Sequence, residues 1–291
     1  MLVTIGIPFY NSEKTLLNSI RSVFAQTYKE WELILIDDGS SDSSLEIAKS
    51  IKDKRIKVIS DGLNRGLPYR LNEITKIAKG SYIARMDADD LMHPDRIMKQ
   101  INYLKRNKEI DLVGTSTYII NEKSEVTGKR ATSELDLKPK SILEKGLYIH
   151  PTVLGKASWF IKNSYSEDYP RAEDHEIWIR TLNKSTFSKL NEPLFFYREN
   201  NKININNYTL SCKTDRKIIK TYGREIIGDY CSRKLIFKSF CKEKIYQFCV
   251  KLNMENQLVK KRNFNLISEE KNLASQTLLS IINTPLPGID I

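Results

Sequence analysis

The first 90 residues alternate short apolar runs with helical patterns, and this alternation limits the possible folds more than any other feature of the chain. Runs rich in Val, Ile, Leu and Tyr predict β-strands, here at residues 2–8, 31–36, 56–59 and 81–86. The segments between them carry apolar residues at helical spacing, as from Leu16 to Phe24. The repeated strand–helix order predicts an α/β fold with a mixed, mostly parallel central sheet and helices on both faces.

Polar residues follow three of these strands at the point where each strand ends. Tyr10 and Asn11 come after Pro8, Asp37 and Asp38 follow the second strand, and the fourth strand runs into an acidic segment. The carboxyl ends of parallel strands share one edge of a sheet, where ligands of open α/β folds bind. No Gly-x-Gly-x-x-Gly or Walker A sequence follows these strands, so the nicotinamide and P-loop classes are disfavoured.

The acidic segment places Asp87, Asp89 and Asp90 within four residues of one another. Like charges this close repel, and each is costly to remove from water. A divalent cation would relieve both costs, and Mg²⁺ and Mn²⁺ prefer carboxylate and phosphate oxygens. The alternative is a solvated acidic turn that caps the next helix.

Beyond residue 90 the pattern predicts a further set of elements. A helix should begin at Pro94 and end near Arg106, since proline suits the first helical turn. Within the first 90 residues, Asn11 or Ser12 is expected to cap the first helix. Strands or extended segments are expected at 110–113, 117–120, 148–153 and 194–198, and helices over 134–145 and from 171 to 180.

Five short motifs, taken in order, resemble those of glycosyltransferase family 2, the nucleotide-sugar transferases with the GT-A fold. They are Ile7-Pro8-Phe9-Tyr10-Asn11, Ile36-Asp37-Asp38-Gly39-Ser40, Asn64-Arg65-Gly66, Arg85-Met86-Asp87-Ala88-Asp89-Asp90 and Glu173-Asp174. The resemblance implies an inverting transferase of the type that builds bacterial surface polysaccharides such as O-antigen or capsule. The Gln-x-x-Arg-Trp motif of processive members is absent from the sequence, so transfer of one sugar is expected.

The resemblance also implies roles on the donor side. Asp89 would bind Mn²⁺ or Mg²⁺ directly, Asp87 would contact the metal or the ribose, and Asp38 would accept a hydrogen bond from the base. The expected donor is a UDP-sugar. The residues expected to contact this nucleotide-sugar are Pro8, Tyr10, Asn11, Asp37, Asp38, Asn64, Arg65, Arg85, Asp87 and Ala88. For Asp37 a turn-capping role stays open, and for Arg65 the role of a solvated loop cation stays open.

On the acceptor side, the resemblance assigns the catalytic base to Asp174 with Glu173 in support. One carboxylate suffices, because the acceptor hydroxyl loses its proton as it attacks. The alternative for this pair is compensation of the helix dipole in the first turn. His150, His175 and Arg198 are further acceptor-side candidates. His175 stands where the family often has an aromatic residue, and Tyr197-Arg198-Glu199-Asn200 where many members have Tyr-Arg-x-His.

The charge of the chain divides it into two regions. Net charge is +11, and residues 200–265 hold 15 basic and 5 acidic residues. We therefore expect a GT-A domain over residues 1–205 and a basic, mainly helical extension over 206–291. The extension either packs on the sheet, or presents a basic rim to an anionic membrane surface, or does both. An acceptor linked to a polyprenyl diphosphate would be met at such a surface.

The start of the chain is typical of a strand rather than of a signal segment, and no run is long and apolar enough to span a bilayer. A cytoplasmic protein is therefore expected. If the basic rim binds lipid, the protein would lie on the inner face of the membrane. Two other functions are alternatives for this sequence. A sugar nucleotidyltransferase would need a glycine-rich basic loop after the first strand, and residues 8–11 offer none. A nucleic-acid-binding protein is suggested by the basic extension alone, which lacks a recognisable binding module.

Overall fold

The computed structural model describes residues 1–131, 133–199, 204–252 and 263–289. Its strands are β1 Val3–Phe9, β2 Trp31–Asp37, β3 Ile56–Ser60, β4 Tyr82–Arg85, β5 Leu91–Met92, β6 Leu112–Ile120, β7 Val126–Arg130, β8 Leu154–Lys156 and β9 Phe187–Arg198. Its helices are α1 Leu16–Phe24, α2 Ser44–Ser50, α3 Leu67–Ile77, α4 Arg96–Arg106, α5 Pro139–Lys145, α6 Ala157–Lys162, α7 Glu173–Thr181, α8 Ile205–Ile227, α9 Asp229–Lys251 and α10 Ser268–Ile282.

The strands of the described residues form one sheet in the order β3-β2-β1-β4-β8-β6-β9-β5, and β7 pairs with β6. The first four strands in this order are mutually parallel. Strand β8 runs antiparallel to β4 and β6, while β6 and β9 are parallel to each other. The mixed sheet with an all-parallel half confirms the predicted fold class, and it sets the ends of β1, β2 and β4 along one edge.

Successive residues of the central strands face opposite sides of the sheet, as the two-residue period of a strand requires. Leu33 and Leu35 of β2 pack into the core beneath α1, whereas Ile34 and Ile36 pack against Ile74 of α3. This explains why the β2 run is almost wholly apolar, since helices cover both of its faces. The two cores fix the sheet between layers of helix and hold its polar edge in place.

The C-terminal helices pack against the preceding part of the chain. Ile218 of α8 and Leu235 of α9 join the cluster that contains Trp178 of α7. Leu278 and Ile281 of α10 join a separate cluster with residues of β5, β6 and β9. Within the described residues, no helix is both long enough and apolar enough to cross a bilayer. The expected packing of this region is therefore observed, while the division at residue 205 remains a proposal.

Several predicted elements have different bounds in the structure. Residues 110–113 and 117–120 are predicted as two strands, but one continuous strand, β6, runs from Leu112 to Ile120 because its neighbour β9 pairs along its whole length. Residues 148–153 were expected to be extended, but His150–Thr152 forms a 3-10 turn. The helix expected from residue 134 begins at Pro139.

The first helix and the last predicted strand also differ from expectation. Helix α1 begins at Leu16 with Thr15 before it, so neither Asn11 nor Ser12 is its cap. Asn11 instead has a positive φ of 48° in the preceding turn. Strand β9 begins at Phe187, well before the expected residue 194. Its first half carries polar residues, which hid it from a reading of apolar periodicity.

Candidate active site

The acidic loop after β4 lies at the carboxyl edge of the parallel half of the sheet. Asp87, Asp89 and Asp90 each direct one carboxylate oxygen to a common point, where these atoms lie within 4.8 Å of one another. Arg85, the last residue of β4, places a guanidinium nitrogen 2.7 Å from the Asp87 carboxylate. The predicted strand end therefore brings the three acids together as expected.

Residues from α1 and β9 hold this loop in shape. The Ser19 hydroxyl lies 2.8 Å from the carbonyl oxygen of Ala88 and 2.7 Å from that of Asp90, and it donates to one of them at a time. The backbone N–H of Arg198 donates to the Asp90 carboxylate over 2.7 Å. The Arg198 guanidinium donates to the carbonyl oxygen of Asp89 over 2.8 Å. The loop is thus fixed on both sides through its carbonyl oxygens and through the Asp90 carboxylate.

The electrostatics of this loop fit a hard divalent cation. Asp90 is fully buried, and one of its carboxylate oxygens has no hydrogen-bond partner among the described residues. Burial and the Asp89 and Asp87 charges raise the pKa of Asp90. The enclosing protein and the Asp87 charge likewise raise the pKa of Asp89, to about 6. Carboxylates crowded in this way are stabilised by a bound cation that neutralises them.

A cavity of about 730 Å³ opens beside Asp89, and we call it the Asp89 cavity. Its lining includes Pro8, Tyr10, Asn11, Asp87, Ala88, Asp89 and Arg198. The Tyr10 ring stands at its mouth with 51% of its surface exposed. The Asn11 side-chain oxygen accepts from the Ser41 backbone N–H over 2.8 Å, which fixes the turn after β1. An exposed aromatic ring above a polar pocket can stack on a planar base.

The two acids at the end of β2 already accept hydrogen bonds from neighbouring groups of the protein. Asp37 accepts from the Ser40 backbone N–H and the Ser60 hydroxyl, which matches the turn-capping alternative. Asp38 accepts from the backbone N–H groups of Arg65 and Gly66 and from the guanidinium of Arg70.

The predicted donor-side residues on the loop before α3 lie away from the Asp89 cavity. Asn64 and Arg65 are exposed on the loop before α3, and the Arg65 guanidinium pairs with Asp61 over 2.8 Å. Within the described chain, the linings of this cavity and of the next one described do not include Asp37, Asp38, Asn64 or Arg65.

A second cavity, of about 530 Å³, lies on the other side of Asp87, and we call it the Asp174 cavity. Glu173 and Asp174 enter it from the first turn of α7, and Arg85, Asp87 and His150 line it as well. A carboxylate oxygen of each acid and a ring nitrogen of His150 lie within 4.8 Å of one another. Asp87 is therefore the residue shared by the two cavities and joins the acidic loop to the α7 acids.

Burial sets the protonation of the Asp174 cavity. Burial and the Asp174 charge raise the pKa of Glu173 to about 7, and burial also raises the pKa of Asp174. Burial and the Arg85 charge lower the pKa of His150, so that its ring is neutral. The His150 ring lies 2.9 Å from the Tyr165 hydroxyl and 3.8 Å from the Glu173 carboxylate. A carboxylate with a pKa raised toward neutrality is suited to accept a proton.

Two predicted acceptor-side residues lie elsewhere. Arg198 lines the Asp89 cavity, because β9 runs beside β6 and delivers its end to the acidic loop. The His175 ring points away from the Asp174 cavity and contacts Asp215 of α8 and the carbonyl oxygen of Ile142 in α5. Only His150 of the three histidine and arginine candidates lines the Asp174 cavity.

Sequence reasoning missed two buried arginines that shape the site. Arg70 pairs with Asp38, Asp61 and Glu73 and holds the loop before α3. Arg96 donates to the carbonyl oxygens of Arg85 and Val153, which links the end of β4 to the turn that carries His150. Arg70 lies in the first turn of α3 and Arg96 is the first residue of α4. A charged residue in a helix pattern predicts exposure, so no signal in the sequence marked either arginine as buried.

Comparison with known proteins places these features in one family. The family model described as glycosyl transferase family 2 matches residues 4–169. The chain is 36% identical over 206 residues to the putative glycosyltransferase EpsE of Bacillus subtilis, which covers 68% of this chain and 73% of that protein. It is 31% identical over 190 residues to an Escherichia coli protein named UDP-Glc:alpha-D-GlcNAc-diphosphoundecaprenol beta-1,3-glucosyltransferase WfgD, covering 65% of this chain and 73% of WfgD.

Solved structures share the fold. Residues 1–349 of TarS from S. aureus, in complex with UDP-GlcNAc, superpose with a TM-score of 0.62 and 17% identity, over 82% of this chain and 72% of that one. The mannosyltransferase PcManGT from Pyrobaculum calidifontis, in complex with GDP-Man and Mn²⁺, gives a TM-score of 0.59 and 12% identity, over 96% of this chain and 85% of that one. At these identities the likeness concerns the fold alone.

Proposed function

The chain belongs to glycosyltransferase family 2, and from that premise we propose that it moves one sugar, with inversion, from a nucleotide-sugar to a saccharide or lipid-linked saccharide acceptor. The observation that carries the proposal is the position of Asp87 between two cavities. A donor whose diphosphate lies at the acidic loop would extend its sugar past Asp87 into the Asp174 cavity. The reacting carbon would then lie between a leaving group on one side and a carboxylate base on the other.

The donor side rests on the Asp89 cavity. Tyr10 would lie against the base, and Asn11, Pro8 and Ala88 would contact the nucleoside. We propose a UDP-sugar, a choice supported by the UDP-Glc in the printed name of WfgD. Because the Asp38 carboxylate already has three protein donors, its role would be to fix the loop of Asn64 and Arg65 before α3 rather than to contact the base.

The remaining donor-side residues follow from the same placement. Asp37 would act by fixing the turn after β2 rather than by touching the base. Arg85 would keep Asp87 in place at the boundary of the two cavities. Arg198, which lines the Asp89 cavity, would contact the diphosphate rather than the acceptor.

Asp89 and Asp87 would hold a Mn²⁺ or Mg²⁺ ion, as the crowding of their carboxylates favours. Such an ion supplies stabilisation of the charge that develops on the diphosphate as the glycosidic bond breaks. Buried Asp90 completes the acidic loop and is fixed by the Arg198 backbone.

Asp174 would act as the base. Its carboxylate lines the cavity that the acceptor hydroxyl must enter, and its pKa is raised by burial. The pKa of the neighbouring Glu173 is raised to about 7, so Glu173 stays protonated below that pH, which limits charge repulsion within the pair. Neutral His150, which lines this cavity and is fixed by the Tyr165 hydroxyl, would supply a hydrogen-bonding partner to the acceptor.

The acceptor is proposed to be a growing surface glycan carried on a polyprenyl diphosphate, as the printed name of WfgD supports. The protein would meet it as a peripheral protein on the inner face of the cell membrane. Helix α9 offers a surface for this, because Tyr230, Phe237 and Phe248 are 78%, 69% and 64% exposed. They are spaced by about two and three helical turns, so they lie on one face. Residues 206–291 would thus form a basic extension that packs on domain 1–205 and also contacts lipid.

A donor panel tests the proposal. The protein is incubated with UDP-, GDP- and dTDP-sugars and a polyprenyl-diphosphate-linked saccharide, with Mn²⁺ or with a chelator, and the product is analysed by NMR. We expect metal-dependent addition of one sugar from a UDP donor with inverted anomeric configuration. Retained configuration, or processive addition of many sugars, would contradict it.

A further inference from the structure

His175 has an acceptor at each of its two ring nitrogens. Its Nδ1 lies 3.0 Å from an Asp215 carboxylate oxygen, and its Nε2 lies 2.6 Å from the carbonyl oxygen of Ile142. A backbone carbonyl and an ionised carboxylate accept hydrogen bonds but cannot donate them. Both ring nitrogens therefore carry hydrogen, and the buried ring is an imidazolium.

The positive charge on His175 belongs to the residue directly after Asp174. The groups that face this pair come from four elements: Asp215 from α8, the Ile142 carbonyl from α5, Arg85 from β4 and Glu173 from α7 itself. Burial and, to a smaller extent, the Asp215 charge raise the pKa of the Asp174 carboxyl, while the charges of His175 and Arg85 lower it. The hydrogen bond to Asp215 and that carboxylate's charge outweigh burial and raise the pKa of His175, which keeps it charged.

We propose that His175 is a positioning residue for Asp174: a buried imidazolium, fixed between Asp215 of α8 and Ile142 of α5, holds the first turn of α7 and keeps the Asp174 carboxylate ionised. This inference rests on the proposed role of Asp174 as base. It gives α8 a part in catalysis, because Asp215 supplies the countercharge without lining the Asp174 cavity. It also assigns a task to the position where the family often has an aromatic residue.

The test is the pH profile of kcat/KM for Asp215→Asn, His175→Gln and the conservative Asp215→Glu. Asp215→Asn removes the countercharge at a side chain that is 37% exposed, so the fold should tolerate it. His175→Gln removes the positive charge and keeps a donor. Loss of one nearby opposite charge raises a carboxyl pKa by about 1 unit or more. We expect the acid limb of His175→Gln to move up by about one pH unit, with about tenfold lower activity below the limb. The limb of Asp215→Asn should move up by less, because the Asp215 charge that is lost together with its support of His175 itself raises the pKa of Asp174. Asp215→Glu should keep the limb of the wild type.

UDP affinity and melting temperature are measured on the same variants. Unchanged UDP affinity with a shifted limb supports positioning of the base. A lower melting temperature with an unmoved limb in both Asp215→Asn and His175→Gln overturns it and leaves a structural role. If Asp174→Asn keeps wild-type turnover, the base assignment itself fails. If Asp174→Asn is inactive and the limbs do not move, only this inference fails.

Discussion

The guanidinium of Arg85 lies 2.7 Å from the carboxylate of Asp87, and this pair stands at the boundary between the Asp89 cavity and the Asp174 cavity. Arg85 is buried at the end of β4, so its charge is held in a fixed place. The pair keeps the acidic loop and the acids of α7 at one distance across the cleft. A reaction that needs a stabilised leaving group and a base on opposite sides of one carbon is suited to this arrangement.

Asp89→Asn tests the cation site. The change removes one charge from the three carboxylates, so the affinity of a cation and of the diphosphate that it holds should fall. We expect loss of Mn²⁺-dependent UDP binding in calorimetry and a drop in turnover of at least ~10²-fold. Glu109→Gln serves as the matched control, because Glu109 is exposed just before β6, at the opposite edge of the sheet. Metal-dependent UDP binding of wild-type strength in Asp89→Asn would reject the assignment.

Arg70→Met tests whether the loop before α3 depends on a buried ion pair. Arg70 is fully buried and pairs with Asp38 over 2.8 Å. Removing Arg70 leaves the buried Asp38 carboxylate without its countercharge, which costs about 3 kcal/mol of unfolding free energy. Arg233→Ala breaks a pair whose side chains are 79% and 55% exposed and should cost less than about 1 kcal/mol. Urea unfolding measures the free energy of unfolding of both variants. Equal losses would show that the buried Arg70 pair stabilises the fold no more than the exposed Arg233 pair does.

Glu173→Gln tests the raised pKa of Glu173 through stability. Between the ordinary pKa of a glutamate and the raised value of about 7, the folded protein holds a proton that the unfolded chain has released. Wild-type stability should therefore fall as pH rises through this window. Glutamine does not ionise, so the variant should melt higher than the wild type at pH 8 and no higher at pH 4. The same difference in melting temperature at both pH values would be inconsistent with a raised pKa.

The exposed face of α9 predicts lipid binding that depends on salt. Each Lys or Arg near an anionic surface contributes about 1 kcal/mol, and salt screens it. The protein should sediment with phosphatidylglycerol vesicles at low salt and be released at high salt. Phe237→Ser with Phe248→Ser should weaken this, while Leu279→Ser, on the exposed face of α10, should not. Equal sedimentation of all three proteins, or none with any vesicle, would leave α9 with a packing role only.

The strands and the acidic loop could be predicted because each depends on local sequence. The apolar run of β2 and the break from Arg85 to Asp87 determine where strands begin and end. The Glu173-Asp174 pair was placed correctly at the start of α7 for the same reason. Such features need only propensity and period, which a single sequence shows.

The partners of the polar side chains could not be predicted, since they depend on pairing between distant segments. Asp38 is satisfied in part by Arg70 from α3, and Arg198 reaches the acidic loop because β9 pairs with β6 through two register shifts. The His175 ring turned toward α8 only because that helix packs beside α7. The exposed aromatic face of α9 was hidden in a sequence that is apolar almost all round.

Asp174→Asn tests whether Asp174 accepts the proton of the acceptor hydroxyl. Asparagine keeps the shape of the side chain but cannot act as a base at neutral pH. We predict that UDP affinity in Mn²⁺ stays at the wild-type value while kcat falls by at least ~10²-fold. The exposed Asp168, in the loop before α7, provides the control Asp168→Asn, which should keep both values. Wild-type kcat in Asp174→Asn would show that Asp174 is not the base.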